Sequence, residues 1–263
     1  MPRAAIRILP SPEAIGDVVA DHILDQVAVA KADARRYLLG MPTGRTPRPI
    51  LAAMARRLAE RPQTLAHVTL VMMDEYLVPG PGGLQYAPSE APWSCHHFAS
   101  AHILEPLNAH LAVEQHLAPN AVWFPVPGDP AAYDAQISAA GGLDLFLLAS
   151  GASDGHVAFN PPGSPRDSRT RVIPLSEATR RDNLNTFPEF GTLETVPGFG
   201  VSVGVETIVS SKSAMMVVWG AGKRRTYQRL ANAERYESDW PATLIHECAH
   251  GAIIADTEAS AAR

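Results

Sequence analysis

Along this chain, apolar residues alternate between helical spacing and short unbroken runs, and the alternation predicts the architecture. Ser11, Pro12 and Glu13 read as an N-cap, a first-turn proline and a first-turn acid, opening an amphipathic helix that continues to about Ala30. YLLG at 37–40 reads as a strand; the loop MPTGRTP follows, and the spacing of PILAAMARRLA predicts a helix after it. HVTLVMMDEY at 67–76 reads as one buried strand with an acidic end. LDLFLLASG at 143–151 is the most apolar strand candidate, and FGVSVGVETI, SAMMVVWG and GAIIAD (251–256) supply further ones. Residues 79–93 (PGPGGLQYAPSEAPW) read as a long Pro/Gly-rich loop, an element more often functional than merely connecting.

Strands separated by helices predict an α/β fold: three layers, a mostly parallel Rossmann-like sheet and helices on both faces. The 263 residues fit a single domain with surface insertions, because an α/β layer structure can hold this many around one sheet. The clusters PTGRT, DEY, SGASDGH and GAGK each begin where an apolar run ends. Ligand crevices of open parallel sheets lie beyond the carboxyl ends of the strands, so these polar ends are expected to meet at one rim.

Composition narrows the partners. Hydrophobic residues make up 46% and charged residues 19%, enough for a substantial core. A net charge of −5 leaves no basic excess for nucleic acid or an anionic membrane surface. No apolar run approaches the ~20 residues that span a bilayer. The first residues lack a cationic stretch followed by an apolar one, so a cytoplasmic location is the expectation. Cys95 and Cys248 lie far apart with no CxxC, which implies neither a disulfide framework nor a zinc ribbon.

The strand-end clusters carry the candidate chemistry. Pro42-Thr43-Gly44-Arg45-Thr46-Pro47 is a glycine- and hydroxyl-bearing loop entering a helix, where free amides and the helix dipole favour an anion. It matches neither GxxxxGK[ST] nor GxGxxG, so a nucleoside triphosphate or dinucleotide is not implied. Asp74, in Asp74-Glu75-Tyr76, closes an apolar strand and must face solvent or a cleft; partly desolvated there, it suits a general base. Asp154-Gly155-His156 places an aspartate where it orients an imidazole across a turn that Gly155 permits. Lys223, after Gly220-Ala221-Gly222, is a candidate for the same anion. His246-Glu247-Cys248-Ala249-His250 fits HExxH literally. Under ten residues separate Pro241 from Gly251, however, an apolar strand follows at once, and no third ligand comes after it. A coincidental match, with no metal site, is therefore expected.

Taken together, LGMPTGRTP, MMDEY, SDGHVAFNPP, SRTR (168–171), VSVGVETI and WGAGK resemble the glucosamine-6-phosphate deaminase/isomerase family, with 6-phosphogluconolactonases as more distant relatives. The resemblance runs from about Leu38 to Glu258, and HVAFN is more like the deaminases. It implies aldose–ketose isomerisation of a hexose phosphate, with or without ammonia release, and needs no cofactor. Asp74 would move a proton between C2 and C1 of the open-chain sugar. His156, oriented by Asp154, would open the ring. Thr43, Gly44, Thr46 and Lys223 would hold the phosphate, with Arg45, Gly155 and Arg171 as further substrate-binding candidates. The chain also departs from the pattern. Pro161 stands where a relay glutamate follows the AFN stretch, Arg45 where the phosphate loop has its second glycine, Asn185 at or near a phosphate-reaching arginine, and Ile173 at a basic position of allosteric members. Arg45 is expected to replace the lost cation. A lactone hydrolase using His156 to activate water, and a non-catalytic sugar-phosphate sensor, are the alternatives. Many members of such families assemble, which leaves a homo-oligomer open.

Overall fold

The computed structural model describes residues 3–261. Strands run in chain order as β1 (Ala5–Leu9), β2 (Tyr37–Met41), β3 (Val68–Met72), β4 (Asp74–Gly80), β5 (Gly83–Tyr86) and β6 (Val122–Trp123). They continue as β7 (Leu145–Leu148), β8 (Arg171–Pro174), β9 (Phe199–Ser202), β10 (Ala214–Val218) and β11 (Gly251–Asp256). Seven of them form a sheet in the order β1-β11-β10-β7-β2-β3-β6, and every pairing in it is parallel. The other four form a smaller antiparallel sheet, β5-β4-β9-β8.

Strand alternation sorts side chains onto the two faces of the parallel sheet. Leu39 and Met41 of β2, Leu70 and Met72 of β3, and Leu145 and Leu147 of β7 pack with helices α1 (Pro12–Ala32) and α2 (Arg48–Glu60). Leu38, Val71, Phe146 and Leu148 face the opposite way, onto the helices Pro130–Ala139, Val205–Val209 and Arg224–Asn232. Strands covered on both faces read as unbroken apolar runs, which is why the central ones stand out in the sequence. Truncating a side chain such as the fully buried Leu147 costs about 2–5 kcal/mol.

α1 starts as its sequence predicts. The Ser11 hydroxyl accepts from the Ala14 amide at 3.3 Å, Pro12 occupies the first turn, and the helix runs on to Ala32. α2 enters behind Pro47 with no side chain capping its first turn. β10, β7, β2 and β3 are consecutive neighbours in the parallel sheet, so the GAGK, SGASDGH, PTGRT and DEY clusters do leave one rim side by side.

Three local expectations are corrected. The run 67–76 is two strands: it breaks at Met73, and Asp74-Glu75-Tyr76 opens β4 of the antiparallel sheet. Both halves are buried, so hydrophobicity carries no sign of the change of sheet. Residues 79–93 are only partly a loop, because Pro79–Gly80 pairs with Gly83–Leu84 in the β4–β5 hairpin. FGVSVGVETI is β9 followed by the helix Val205–Val209, and β9 joins the smaller sheet.

Candidate active site

A cleft of about 370 Å³ opens at the rim where β2, β3, β7 and β10 end. At one end lies the Pro42–Pro47 turn. Gly44 takes a left-handed φ of +83°, which lets the loop fold back, and an added Cβ there would meet Thr186 Cγ2 at 3.3 Å. The Trp219 indole N–H donates to Thr46 O at 3.2 Å and pins the loop to the end of β10. Thr43, Gly44, Arg45 and Thr46 all line the cleft, above the uncapped first turn of α2. The Gly44, Arg45 and Thr46 amides donate to no group among the described residues, and the positive end of the thirteen-residue α2 lies beside them, a setting that favours an anion.

Lys223 lines the same end and donates from Nζ to Ser150 O. Burial pulls its ammonium down to about 8; Asp182 supports the charge and Arg45 opposes it. A half-desolvated lysine beside an arginine is held ready for a negative partner.

Asp74 lines the cleft too and is only 6% exposed. Burial pushes its carboxyl up to about 7, against the lowering effect of a hydrogen bond from Cys95, and the nearby Glu75 charge adds to the rise. Glu75 is fully buried and points away from the cleft into the start of the helix Cys95–Phe98. It accepts from the Cys95 and His96 amides at 3.0 and 2.9 Å, from Ser94 Oγ at 2.9 Å and pairs with His96 Nδ1 at 2.6 Å. Of two adjacent carboxylates, one therefore anchors the fold and the other faces the cleft.

His156 is 9% exposed and also lines the cleft. Its Nδ1 lies 2.7 Å from Asp154 Oδ1, which accepts the His156 amide as well, at 3.1 Å. With Nδ1–H engaged, Nε2 is left as the acceptor. Burial alone would raise the Asp154 carboxyl, but the hydrogen bond and charge of His156 hold it below the usual range. Gly155 lies at φ +71°, and a Cβ there would overlap the Trp240 ring at 2.4 Å. Gly155 thus serves the turn against Trp240, and it is absent from the cleft lining.

The helix Glu177–Thr186 closes the cleft from outside the sheet and brings residues that no strand-end rule could find. Asp182, Asn183, Asn185 and Thr186 line the cleft, and Tyr76, Phe159 and Phe187 form its apolar wall. Asp182 accepts from the Ala152 amide at 3.2 Å and Ser153 Oγ at 3.0 Å. Asp154, His156 and Asp182 each place one ligand-capable atom within 4.8 Å of the others, so a cation could be held there. Asn183 presents a buried amide nitrogen with no hydrogen-bond partner.

Two candidates stand apart. Arg171 lies on β8, donates to Arg169 O at 3.3 Å, and does not line the cleft. It lies on the smaller sheet, half-buried near Tyr236, in the register row that Ser202 of β9 shares with Asp74. The HExxH residues form no metal centre geometry. Pro241–Glu247 is a 3₁₀ helix that stops at the extended Cys248, so His250 is not one α-turn from His246. Both His246 nitrogens are engaged, with the Ala4 amide at 3.3 Å and Leu230 O at 2.9 Å, and Glu247 pairs with Arg166.

One cleft gathers a raised carboxylate, an aspartate-paired imidazole, a lysine and a loop at a helix start, the groups that acid–base chemistry on an anionic molecule requires. The chain belongs to the family of glucosamine-6-phosphate isomerases and 6-phosphogluconolactonases, which its residues 10–254 match. It is 32% identical over 225 residues to the glucosamine-6-phosphate deaminase of Shouchella clausii, covering 86% of this chain and 85% of that one. It is also 32% identical over 253 residues to the same-named protein of Streptomyces avermitilis, covering 96% and 90%. A solved monomeric glucosamine-6-phosphate deaminase superposes with a TM-score of 0.83 at 25% identity, over 98% of this chain and 100% of that one. The 6-phosphogluconolactonase of Trypanosoma cruzi shares the fold, at a TM-score of 0.68 and 16% identity, over 98% and 96%.

Proposed function

We propose that the protein is an aldose–ketose isomerase of the glucosamine-6-phosphate deaminase type, with Asp74 as the base. The observation that carries this is one cleft lined by both Asp74 and His156, with the anion loop and Lys223 at its end. A carboxylate raised to about 7 is matched to abstracting a carbon-bound proton near neutral pH.

In this reading the phosphate rests on the amides of the Gly44–Thr46 loop, the Thr43 and Thr46 hydroxyls, Arg45 and Lys223. His156, oriented by Asp154, moves a proton between O1 and O5 and opens the hemiacetal. Asp74 removes the C2 proton of the open-chain amino aldose and returns it to C1. The resulting C2 imine takes up one water and releases one ammonia, leaving the ketose phosphate. Pro161 carries no titratable group; Asp182 supplies a second carboxylate near the imidazole. Asn183 offers its unpaired amide to a sugar hydroxyl.

Lactone hydrolysis is the second reading, and Pro161 favours it because that reaction does without the glutamate relay that opens a hemiacetal ring. The desolvated Asp74 favours isomerisation, since water attack on a lactone needs only His156. Incubation with glucosamine 6-phosphate in heavy water tests the choice. Ammonia with deuterium at C1 is expected; acid release from 6-phosphogluconolactone without ammonia would establish the lactonase instead.

A further inference from the structure

Cys95 touches both Asp74 and the Pro42–Pro47 loop. The residue is 1% exposed and opens the helix Cys95–Phe98, whose first amides are fixed on the buried Glu75 carboxylate. That anchorage holds the thiol against its neighbours. Cys95 Sγ lies 3.4 Å from Asp74 Oδ1 and 3.7 Å from Thr43 Oγ1. No other protein group hydrogen-bonds the Asp74 carboxylate among the described residues.

Resting on the isomerase reading above, we propose that Cys95 is a positioning residue that aims the Asp74 carboxylate and couples it, through Thr43, to the phosphate loop. Proton counting fixes the direction of the chain. An ionised carboxylate only accepts, so the single S–H proton goes to Asp74, and sulfur then accepts from the Thr43 hydroxyl. When Asp74 is protonated the order can reverse, with the carboxyl donating to sulfur and the thiol donating to Thr43. The protonation state of the base is thus written into the orientation of a hydroxyl on the anion loop. A phosphate that draws the Thr43 proton to itself removes the donor to sulfur, weakens the thiol as a donor and makes Asp74 more basic as substrate seats. Burial holds the Cys95 thiol far above its ordinary range, and so keeps it a proton donor rather than a thiolate beside the carboxylate.

The test is the acid limb of the kcat/KM–pH profile in Cys95→Ala and Cys95→Ser, paired with a carboxyl ¹³C NMR titration of Asp74 without substrate, assigned with Asp74→Asn. Cys95→Ala should move the Asp74 titration and the acid limb upward by about half to one pH unit, the scale of one weak hydrogen bond to a charged group. At pH 6 this lowers kcat/KM about three- to tenfold, and the loss at the maximum of the profile is smaller. Cys95→Ser keeps the shape and supplies a stronger donor, so its limb should lie at or below that of the unaltered protein; it also serves if the alanine variant does not fold. An unmoved Asp74 titration in both variants, or an equal loss at every pH with the limb in place, overturns the proposal. A moved titration in a protein that turns over no amino-sugar phosphate leaves the coupling standing and instead removes the isomerase reading on which its catalytic meaning rests.

Discussion

Asp154 Oδ1 sits 2.7 Å from His156 Nδ1 and takes the His156 amide as well, so one carboxylate fixes both the turn and the ring it carries. The imidazole is held in one tautomer, with Nε2 turned to proton exchange. Asp154→Asn replaces an acceptor with a group that can donate to Nδ1 and invert that tautomer. Its kcat should fall about 100- to 10,000-fold, the range for a misdirected general acid–base, with little change in KM. Steady-state kinetics beside circular dichroism checks this; a loss confined to KM would point to binding instead.

The pH profile of kcat/KM should be a narrow bell. Asp74 must be ionised to act as a base, so activity rises as pH passes about 7. Lys223 must be protonated to hold the phosphate, so activity falls as pH passes about 8. Lys223→Arg keeps the charge to far higher pH and should push out the alkaline limb without moving the acid one. An alkaline limb unchanged in that variant would separate Lys223 from phosphate binding.

Asp74 should also cost the protein stability. Its folded value of about 7 lies above the ordinary 3.8, so between those values the folded state binds more protons than the unfolded one. Stability therefore drops as pH rises from about 4 to about 7, and the full cost persists above that. Asp74→Asn removes the cost while abolishing activity, and its melting temperature should exceed that of the unaltered protein at pH 8 by more than at pH 4. Thermal denaturation at the two pH values measures this, and equal differences would contradict the raised carboxyl.

Arg45 lines the anion end of the cleft near Lys223, whose charge it opposes. Arg45→Ala should raise KM for the phosphorylated sugar about tenfold or more, the scale of one charged hydrogen bond, with kcat nearly constant. Competition by inorganic phosphate should weaken in parallel. An unchanged KM would leave phosphate binding to the amides and Lys223.

The legible parts of the site share a physical cause. Strands β2, β3, β7 and β10 are buried on both faces, so charged residues collect where they end, and the sequence marks Thr43, Asp74, His156 and Lys223 there. Asp182 and Asn183 follow no strand. Their helix covers a cleft rather than a core and buries little beyond Thr179, leaving no apolar stripe to flag it. Cys95 is a single thiol in a Pro/Gly-rich neighbourhood, and only the turn that brings the chain from β5 back beside β4 sets it on Asp74. Arg171 shows the reverse: its stretch resembles the family and its register across Ser202 sets it in the row of Asp74, yet it does not line the cleft.

Glucosamine 6-phosphate carrying deuterium at C2 tests the role of Asp74 most directly. The unaltered protein should cleave the C2–D bond, slowed relative to C2–H, and deliver the label to C1 or to water as ammonia appears. Asp74→Asn should bind the sugar and leave the label at C2. Label loss at an undiminished rate in that variant would contradict the account.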